Sequence, residues 1–442
     1  MTLAYAPSLT GEIVLPGDDA YETLRRTSGG TGSPAYIVRC RDAEEVAQAV
    51  RFATEEGLTL SVRSGGHHGA GFGTNDGGLV IDLGLIDGVE VFGGLDDIVR
   101  IGAGARWGEV ARALAPYGLA VSSGDTAAVG VGGLMLGGGI GWMVRKHGLA
   151  LDHLVAAEVV TADGRIVRAS ATEHPDLFWA IRGGGGNFGV VTTFEVAATR
   201  EREVTFARIV YPASQAARVL RGWRDVMRSA GDELTSTAQL SPASGDDAPP
   251  TVVITACQAG GDHDAVEPLT RLGDALSVDV AVQPYADLLV ETPPGPRPAW
   301  HAQLRNRFAR SCTDELIDTL VSHVGGVPMT VVELRALGGA MGRVPAGATA
   351  FAHRDAEVLL TTVVLGGQAE HAPVRENLEA LWRGLAPHTG GAYGNFLSEP
   401  SKDDVAAVYP ARTRERLAAV KRLYDPANLF DQNINVDPEG SR

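Results

Sequence analysis

Arg63-Ser64-Gly65-Gly66-His67-His68-Gly69-Ala70-Gly71-Phe72-Gly73 lies between two short apolar runs, Leu58 to Val62 and Leu79 to Leu83. Each run has the length and residue types of a strand, and five glycines in eleven positions predict a loop between them. Glycine lacks a Cβ and tolerates positive φ, so such a loop lets several amide N–H groups converge on an anion or a flat ring. Upstream, Asp42 is a candidate helix cap. Glu44 and Glu45 follow in the first turn, Val46, Ala49, Val50 and Ala53 share one face, and Gly57 is the stop. The local unit is helix, strand, glycine loop, strand.

Two further glycine runs follow, Gly130 to Gly141 and Gly183 to Gly189, and together the three explain why 56 of 442 residues are glycine without a collagen-like period. Helical patterns are expected at Trp107 to Tyr117 and Pro175 to Arg182. Leu154 to Val160 and Arg165 to Ala169 flank Ala162-Asp163-Gly164 as a strand, turn, strand signal. Short helices alternating with strands predict an α+β layer structure. After about residue 200 the glycine density falls. Helical patterns at Ala213 to Ala230, Glu315 to Val324 and Pro373 to Leu385 alternate with strand-like runs at Thr251 to Cys257, Thr330 to Leu334 and Val358 to Leu365. These predict a sheet backed by helices, with a polar loop through Ser244, Gly245, Asp246 and Asp247.

Length and charge narrow the function. At about 150 residues per domain, 442 residues suggest two domains or one large two-part enzyme. Thirty-eight Lys and Arg against 54 Asp and Glu give a net charge of −16, which argues against a nucleic-acid footprint. Cys40, Cys257 and Cys312 form no Cys-x-x-Cys pair, so neither a disulfide scaffold nor a zinc ribbon is expected. The N-terminus shows no signal-peptide pattern and no window approaches 18 consecutive apolar residues, so a soluble, cytoplasmic chain without a membrane partner is expected.

Gly184-x-Gly186-x-x-Gly189 matches the dinucleotide fingerprint, but the order of elements is reversed. A helix end, Phe178 to Arg182, precedes it and a strand, Val190 to Val196, follows, so no helix N-terminus would meet a pyrophosphate. No Gly-Lys-Ser/Thr completes a phosphate loop. Adjacent His67 and His68 are poorly placed to chelate one metal, and no metal centre is expected.

The Arg63 to His67 loop, followed by Val80-Ile81-Asp82-Leu83, resembles the covalent-flavin loop of the vanillyl-alcohol oxidase and para-cresol methylhydroxylase superfamily. Val129-Gly130-Val131-Gly132-Gly133 with Gly137-Gly138-Gly139-Ile140-Gly141, and then Gly148-Leu149-Ala150-Leu151-Asp152, is similar to the second flavin segment of its berberine-bridge-enzyme-like branch. His174 to Val191, reading HPDLFWAIRGGGGNFGVV, is close to that branch's signature. Leu417 to Lys421, Tyr424 to Phe430 and Asn433-Ile434-Asn435 resemble its C-terminal module. The four segments occur in order from about residue 36 to 438.

The resemblance implies a two-domain covalent-flavin oxidase fold: an FAD-binding domain over 1–204, a substrate domain over 205–395, and a segment, 396–442, that returns to the first domain. It places the covalent histidine on His67, bonded to the 8α-methyl of FAD. Backbone donors to the pyrophosphate would come from Arg63, Ser64, Gly65, Gly66, Gly130, Gly132 and Gly133, and Val190 would meet the adenine side. His68, Val129, Gly137, Gly138, Gly139, Gly141, Asp152 and Asn433 belong to the same matching segments and are further candidates. Many relatives make a second covalent bond through a cysteine three residues before the Val-Gly-Val-Gly-Gly segment. Thr126 stands there, so attachment through His67 alone is expected.

The family's active-site Tyr-x-Asn-Tyr segment reads Tyr393-Gly394-Asn395-Phe396 here, making Tyr393 and Asn395 the catalytic candidates. A phenol can take an alcohol proton as hydride leaves if its pKa is lowered toward the working pH, whereas an amine that binds neutral needs no base. The implied activity is oxidation of a C–H next to an amine or alcohol of a small cyclic or aromatic metabolite, with O₂ reduced to hydrogen peroxide, by a monomer or homodimer. A flavin dehydrogenase, or a non-redox flavoprotein that binds a natural product, remains open.

Overall fold

The computed structural model describes residues 9–92, 97–243, 249–289, 303–324, 330–364 and 372–440. The polar loop expected at Ser244 to Asp247 lies outside them.

The helix expected after Asp42 spans Ala43–Glu55, and Asp42 Oδ1 accepts from the Glu45 amide at 2.9 Å. Its face of Val46, Ala49, Val50 and Ala53 is fully buried. It packs beside a four-stranded sheet in the order Glu12–Val14, Tyr36–Arg39, Leu79–Asp82, Leu60–Arg63. The two strands around the glycine loop are parallel neighbours, with Arg63 beside Asp82 in the register. The connection must therefore run back along the sheet from the C-terminal end of the first strand to the N-terminal end of the second, and Ser64 to His68 leave from the C-terminal end.

A second, antiparallel sheet runs in the order Ile166–Ser170, Leu154–Val160, Val190–Ala197, Ile98–Gly102, Val89–Val91. It contains the expected hairpin and the strand that follows the third glycine run. The C-terminal stretch shares the core of these two sheets: Val408, Leu417, Val420, Phe430 and Val436 pack in one cluster with Val46, Ile81, Leu177 and Phe194. A buried lysine ties it to the third glycine run. Lys421 Nζ donates to the carbonyls of Asn187 (2.7 Å) and Phe430 (2.8 Å) and pairs with Asp425 (2.8 Å). The Asn187 side chain in turn accepts from Val436 N and donates to Ile434 O.

The middle of the chain forms a seven-stranded antiparallel sheet in the order Ser277–Pro284, Glu203–Pro212, Thr251–Ala259, Leu234–Ser241, Thr330–Ala336, Val358–Val364, Gln303–Ala309. Helices Ala216–Ser229, Asp314–Val324 and Ala372–Leu385 supply Trp223, Leu316 and Trp382 to one apolar layer with Ile254, Leu334 and Leu360. Sheet and backing helices thus match the expectation. Four of the seven strands, Glu203–Pro212, Leu234–Ser241, Ser277–Pro284 and Gln303–Ala309, lie outside the runs expected from the sequence. Leu234–Ser241 shows why: its Thr235, Thr237 and Gln239 alternate away from the helices, so half of a buried strand reads as polar.

Among the described residues no helix is long and apolar enough to cross a membrane, and no group of three His, Cys, Asp or Glu is placed to hold a metal ion.

Candidate active site

The first two glycine runs meet backbone to backbone. A Cβ on Gly65 would lie 2.4 Å from Gly130 N, and one on Gly130 would lie 2.1 Å from Gly65 N, so neither position admits a side chain. Ser64 locks the junction: its Oγ donates to Ala103 O at 2.6 Å and accepts from Gly132 N at 3.2 Å. Arg63 is spent on structure. Its Nε donates to Asp82 Oδ2 at 2.7 Å with both side chains buried, so the guanidinium pins the mouth of the loop and its charge is already neutralised.

These runs form one side of a cavity lined by Arg63 to His68, Val129, Gly130, Gly132, Gly133, Gly137 and Val190. His67 is exposed into it. His68 is fastened: Nδ1 accepts from Ala70 N at 3.1 Å and Nε2 faces Gly394 O at 3.0 Å, 326 residues further along the chain. Burial pushes its pKa down, which keeps the ring neutral as those two bonds require.

Tyr393 and Asn395 close another side. Asn306, on strand Gln303–Ala309, accepts from Tyr393 N at 2.7 Å and donates to the carbonyls of Tyr393 and Phe396 at 2.9 Å. The Tyr393 hydroxyl oxygen accepts from Gly139 N and from Asn395 Nδ2, both at 3.0 Å. Burial raises the phenol pKa, and these two donors, which favour the phenolate, only partly offset it. The lowered pKa that a base would need is therefore not what this environment produces, and the phenol is neutral at physiological pH.

Asp125, next to Thr126, also lines the cavity, and no local motif announced it. Burial would raise its carboxyl, but Arg335 lies 2.6 Å away and holds it below the usual range. Arg335 comes from strand Thr330–Ala336 and also pairs with Glu333 at 3.0 Å and donates to Ile140 O at 3.2 Å. The seven-stranded sheet thereby supplies a charged brace against the wall of the cavity.

Several expected residues stand behind the lining. Thr126 donates to Asp125 at 3.0 Å. Gly138 packs against the Tyr393 ring, Gly139 acts through its N–H, and a Cβ on Gly141 would meet Ser123 O at 1.8 Å. Asp152 lies apart, held in a two-pronged pair with Arg354 at 2.7 Å. The structure thus gives these five positions packing and bracing contacts in place of contacts to the cavity. Asn433 does line it, and its buried Oδ1 has no hydrogen-bond partner. Leu134, Leu136, Tyr409 and Gln432 are among the other lining residues and carry no motif signal of their own, and Phe396, the last residue of the Tyr393 to Phe396 segment, lines the cavity too.

A side-chain-free cradle, an exposed histidine and an orphaned amide oxygen suit a large, flat, anionic cofactor with hydrogen-bond donors, and FAD fits this description. The fold and site together define an FAD-linked oxidoreductase. Residues 34–170 match the family of FAD binding domains. The chain is 34% identical to (R)-6-hydroxynicotine oxidase of Paenarthrobacter nicotinovorans over 99% of both chains. The solved 6-hydroxy-D-nicotine oxidase of Arthrobacter nicotinovorans is similar at a TM-score of 0.86 and 31% identity, covering 97% of this chain and 98% of that one. Glucooligosaccharide oxidase of Acremonium strictum, whose FAD is 6-S-cysteinyl and 8α-N1-histidyl, gives a TM-score of 0.84 at 26% identity over 98% of both. The chain belongs to the berberine-bridge-enzyme-like FAD-linked oxidases.

Proposed function

We propose that the chain oxidises a C–H next to an amine or alcohol of a small cyclic or aromatic metabolite, and that O₂ is reduced to hydrogen peroxide. In this reading residues 1–204 and 396–442 hold FAD and residues 205–395 carry the substrate, with one covalent bond, through His67. The observation that carries it is the convergence of His67 and the Tyr393 phenol, from opposite ends of the chain, on one glycine-floored cavity. Bound there, FAD supplies a two-electron acceptor at N5 and a route for those electrons to O₂.

The protein's own part is to hold and orient. Gly65 and Gly130, packed backbone to backbone, keep side chains off the cavity floor, the expected Gly132 donor is already bonded to Ala103 O and Ser64 Oγ, and Asn433 Oδ1 offers an acceptor. Tyr393, braced by Asn306, presents a hydroxyl whose proton is free to point into the cavity, because Gly139 and Asn395 already donate to its oxygen. A raised phenol pKa favours the amine branch: a neutral amine gives up hydride without first losing a proton, so a neutral phenol can orient it as a hydrogen-bond donor.

Mixing the enzyme without oxygen with a panel of secondary amines and hydroxylated polycyclic compounds tests this. Bleaching of the flavin followed by peroxide on admitting air supports the oxidase. Bleaching without peroxide identifies a dehydrogenase, and a retained flavin that no compound bleaches identifies a non-redox binder.

A further inference from the structure

A second pocket, of about 600 Å³, opens between helix Ala216–Ser229 and the loops that follow strand Thr330–Ala336 and precede strand Val358–Val364, and none of its lining residues lines the glycine-floored cavity. In a chain of net charge −16 it gathers six arginines: Arg145, Arg224, Arg228, Arg310, Arg343 and Arg354. Five are neutralised one by one. Arg224 pairs with Asp314, Arg228 with Glu357 at 2.7 Å, Arg310 with Asp355 at 2.7 Å, Arg343 with Asp232 at 2.5 Å and Arg354 with Asp152 at 2.7 Å. Arg145 is the exception. It sits on helix Val144–His147, is 8% exposed, and among the described residues has no carboxylate paired with it. Two of its N–H groups are used, on Leu337 O at 2.7 Å and Ala230 O at 3.2 Å, and the buried Nε has no partner. Burial pushes its pKa down, but a guanidinium keeps its proton, so a positive charge stands in the wall without the partner that buried charges ordinarily have. Two glycines lie beside it. Gly338 and Gly339 have φ +89° and +56°, and among the described residues neither amide N–H is hydrogen-bonded. A Cβ on Gly338 would lie 3.7 Å from Arg145 Nη1, so free amides and unpaired guanidinium share one corner of the pocket.

We infer that this pocket binds the oxyanion of a small organic acid, a carboxylate or a phosphate monoester, through the Arg145 guanidinium and the Gly338 and Gly339 amides. An oxyanion supplies the counter-charge that Arg145 lacks, and hydrogen bonds assisted by a full charge are the strong ones. Successive backbone N–H groups in a turn add a concave set of donors to it. The body of the ligand has a surface to rest on, because Met227, Leu337 and Val358 line the same pocket. Its size lies within the roughly 300–1,000 Å³ of small-molecule sites. Asp232 is the carboxylate whose charge Arg145 feels, and Arg343 holds it. Asp232 therefore works against an anion, and Arg343 offsets it.

Calorimetric titration of the flavin-loaded protein at low salt, with phenyl phosphate and benzoate as probes, tests the site. One molecule of at least one probe is expected to bind per chain, and the tighter of the two identifies the oxyanion. Arg145→Gln should raise its Kd at least about tenfold, the worth of a hydrogen bond to a charged group. The two flanking charges should act with opposite signs: Asp232→Asn tightens binding, and Arg343→Gln, which leaves Asp232 unpaired, weakens it. Arg165→Gln, which removes an arginine of the 154–170 hairpin paired with Asp163, should change nothing. No binding of either probe, a Kd unchanged in Arg145→Gln, or equal weakening by Arg165→Gln overturns the inference. If Arg145→Gln does not fold, having lost its bonds to Leu337 and Ala230, the other two variants decide: shifts of the same sign, or none, overturn it.

Discussion

The two sides of the cavity are built by opposite strategies. On the cofactor side, contiguous glycine runs bring backbone to backbone, and what matters at Gly65 or Gly130 is the absence of a side chain. On the facing side, the groups that line the cavity, Tyr393, Asn395 and Asp125, are braced from behind by side chains of the seven-stranded sheet: Asn306 holds Tyr393 and Arg335 holds Asp125, each set by the pairing of its strand. The first side can hold the same cofactor in any relative that keeps the glycines. In the proposed function the second side carries substrate choice, since single substitutions there can change its chemistry and leave the sheet intact.

If that division holds, changes on the cofactor side should alter how flavin is held and changes on the facing side should alter what is oxidised. The largest expected effect is all or none. His67→Ala should leave FAD fully released by acid, whereas a digest of the wild type should carry FAD on the peptide containing His67. Loss of the electron-withdrawing bond should also lower the flavin potential. A cysteinyl adduct, or acid-labile FAD in the wild type, would refute attachment through His67 alone.

Tyr393→Phe addresses the facing side. At alkaline pH, where the phenol ionises and can act as a base, reduction by an alcohol should slow by roughly 10²–10⁴-fold, the usual contribution of a positioned acid–base group. The sign of the pH dependence follows from burial: with the phenol pKa raised above its ordinary value, the alcohol rate should climb with pH through neutrality and reach no plateau below about 10. A neutral amine should be far less affected. Equal rates for the variant and wild type with an alcohol would reduce Tyr393 to packing.

The same division explains what could be read in the sequence. The helix after Asp42, the strands around the first glycine run and the 154–170 hairpin are specified by neighbours in the chain, through a cap, alternation and a turn glycine with φ +75° at Gly164. His67, Tyr393 and Asn395 were legible through resemblance to a family's motifs. Asp125 was not. It sits beside Thr126 in a segment whose glycines draw the eye, and its role appears only with Arg335, 210 residues away. Asp152 misled for the converse reason: it lies within a matching segment, but its carboxylate is taken by Arg354, a partner that tertiary structure alone supplies.

Support for the cradle can be tested away from the cavity. Lys421 is fully buried; burial pushes its pKa down, and the ion pair with Asp425 at 2.8 Å opposes that. Lys421→Met removes one partner of a buried pair and frees the Asn187 and Phe430 carbonyls. The expected loss is about 3–5 kcal/mol of stability, measured by denaturant unfolding with FAD bound. A loss below about 1 kcal/mol, the worth of an ordinary hydrogen bond, would show that Asn187 alone holds the C-terminal segment to the third glycine run.

The smallest effect expected is kinetic, and it separates the two sides most finely. Val129 lines the cavity on the cofactor side, packed on the core through its backbone bonds to Trp107 and Thr126. In the proposed function Val129 would stand near the part of the flavin that meets O₂. Valine leaves a space that one more methylene would fill, and a close-packed wall has no slack to absorb the extra volume. Val129→Leu should therefore slow reoxidation of the dithionite-reduced enzyme by at least an order of magnitude. Anaerobic reduction by substrate should barely change, because the groups that hold the substrate lie across the cavity. Stopped-flow mixing with aerated buffer measures the first rate and anaerobic mixing the second. Equal reoxidation rates would remove the gate, and a parallel fall in both rates would mean that the two sides of the cavity are not independent.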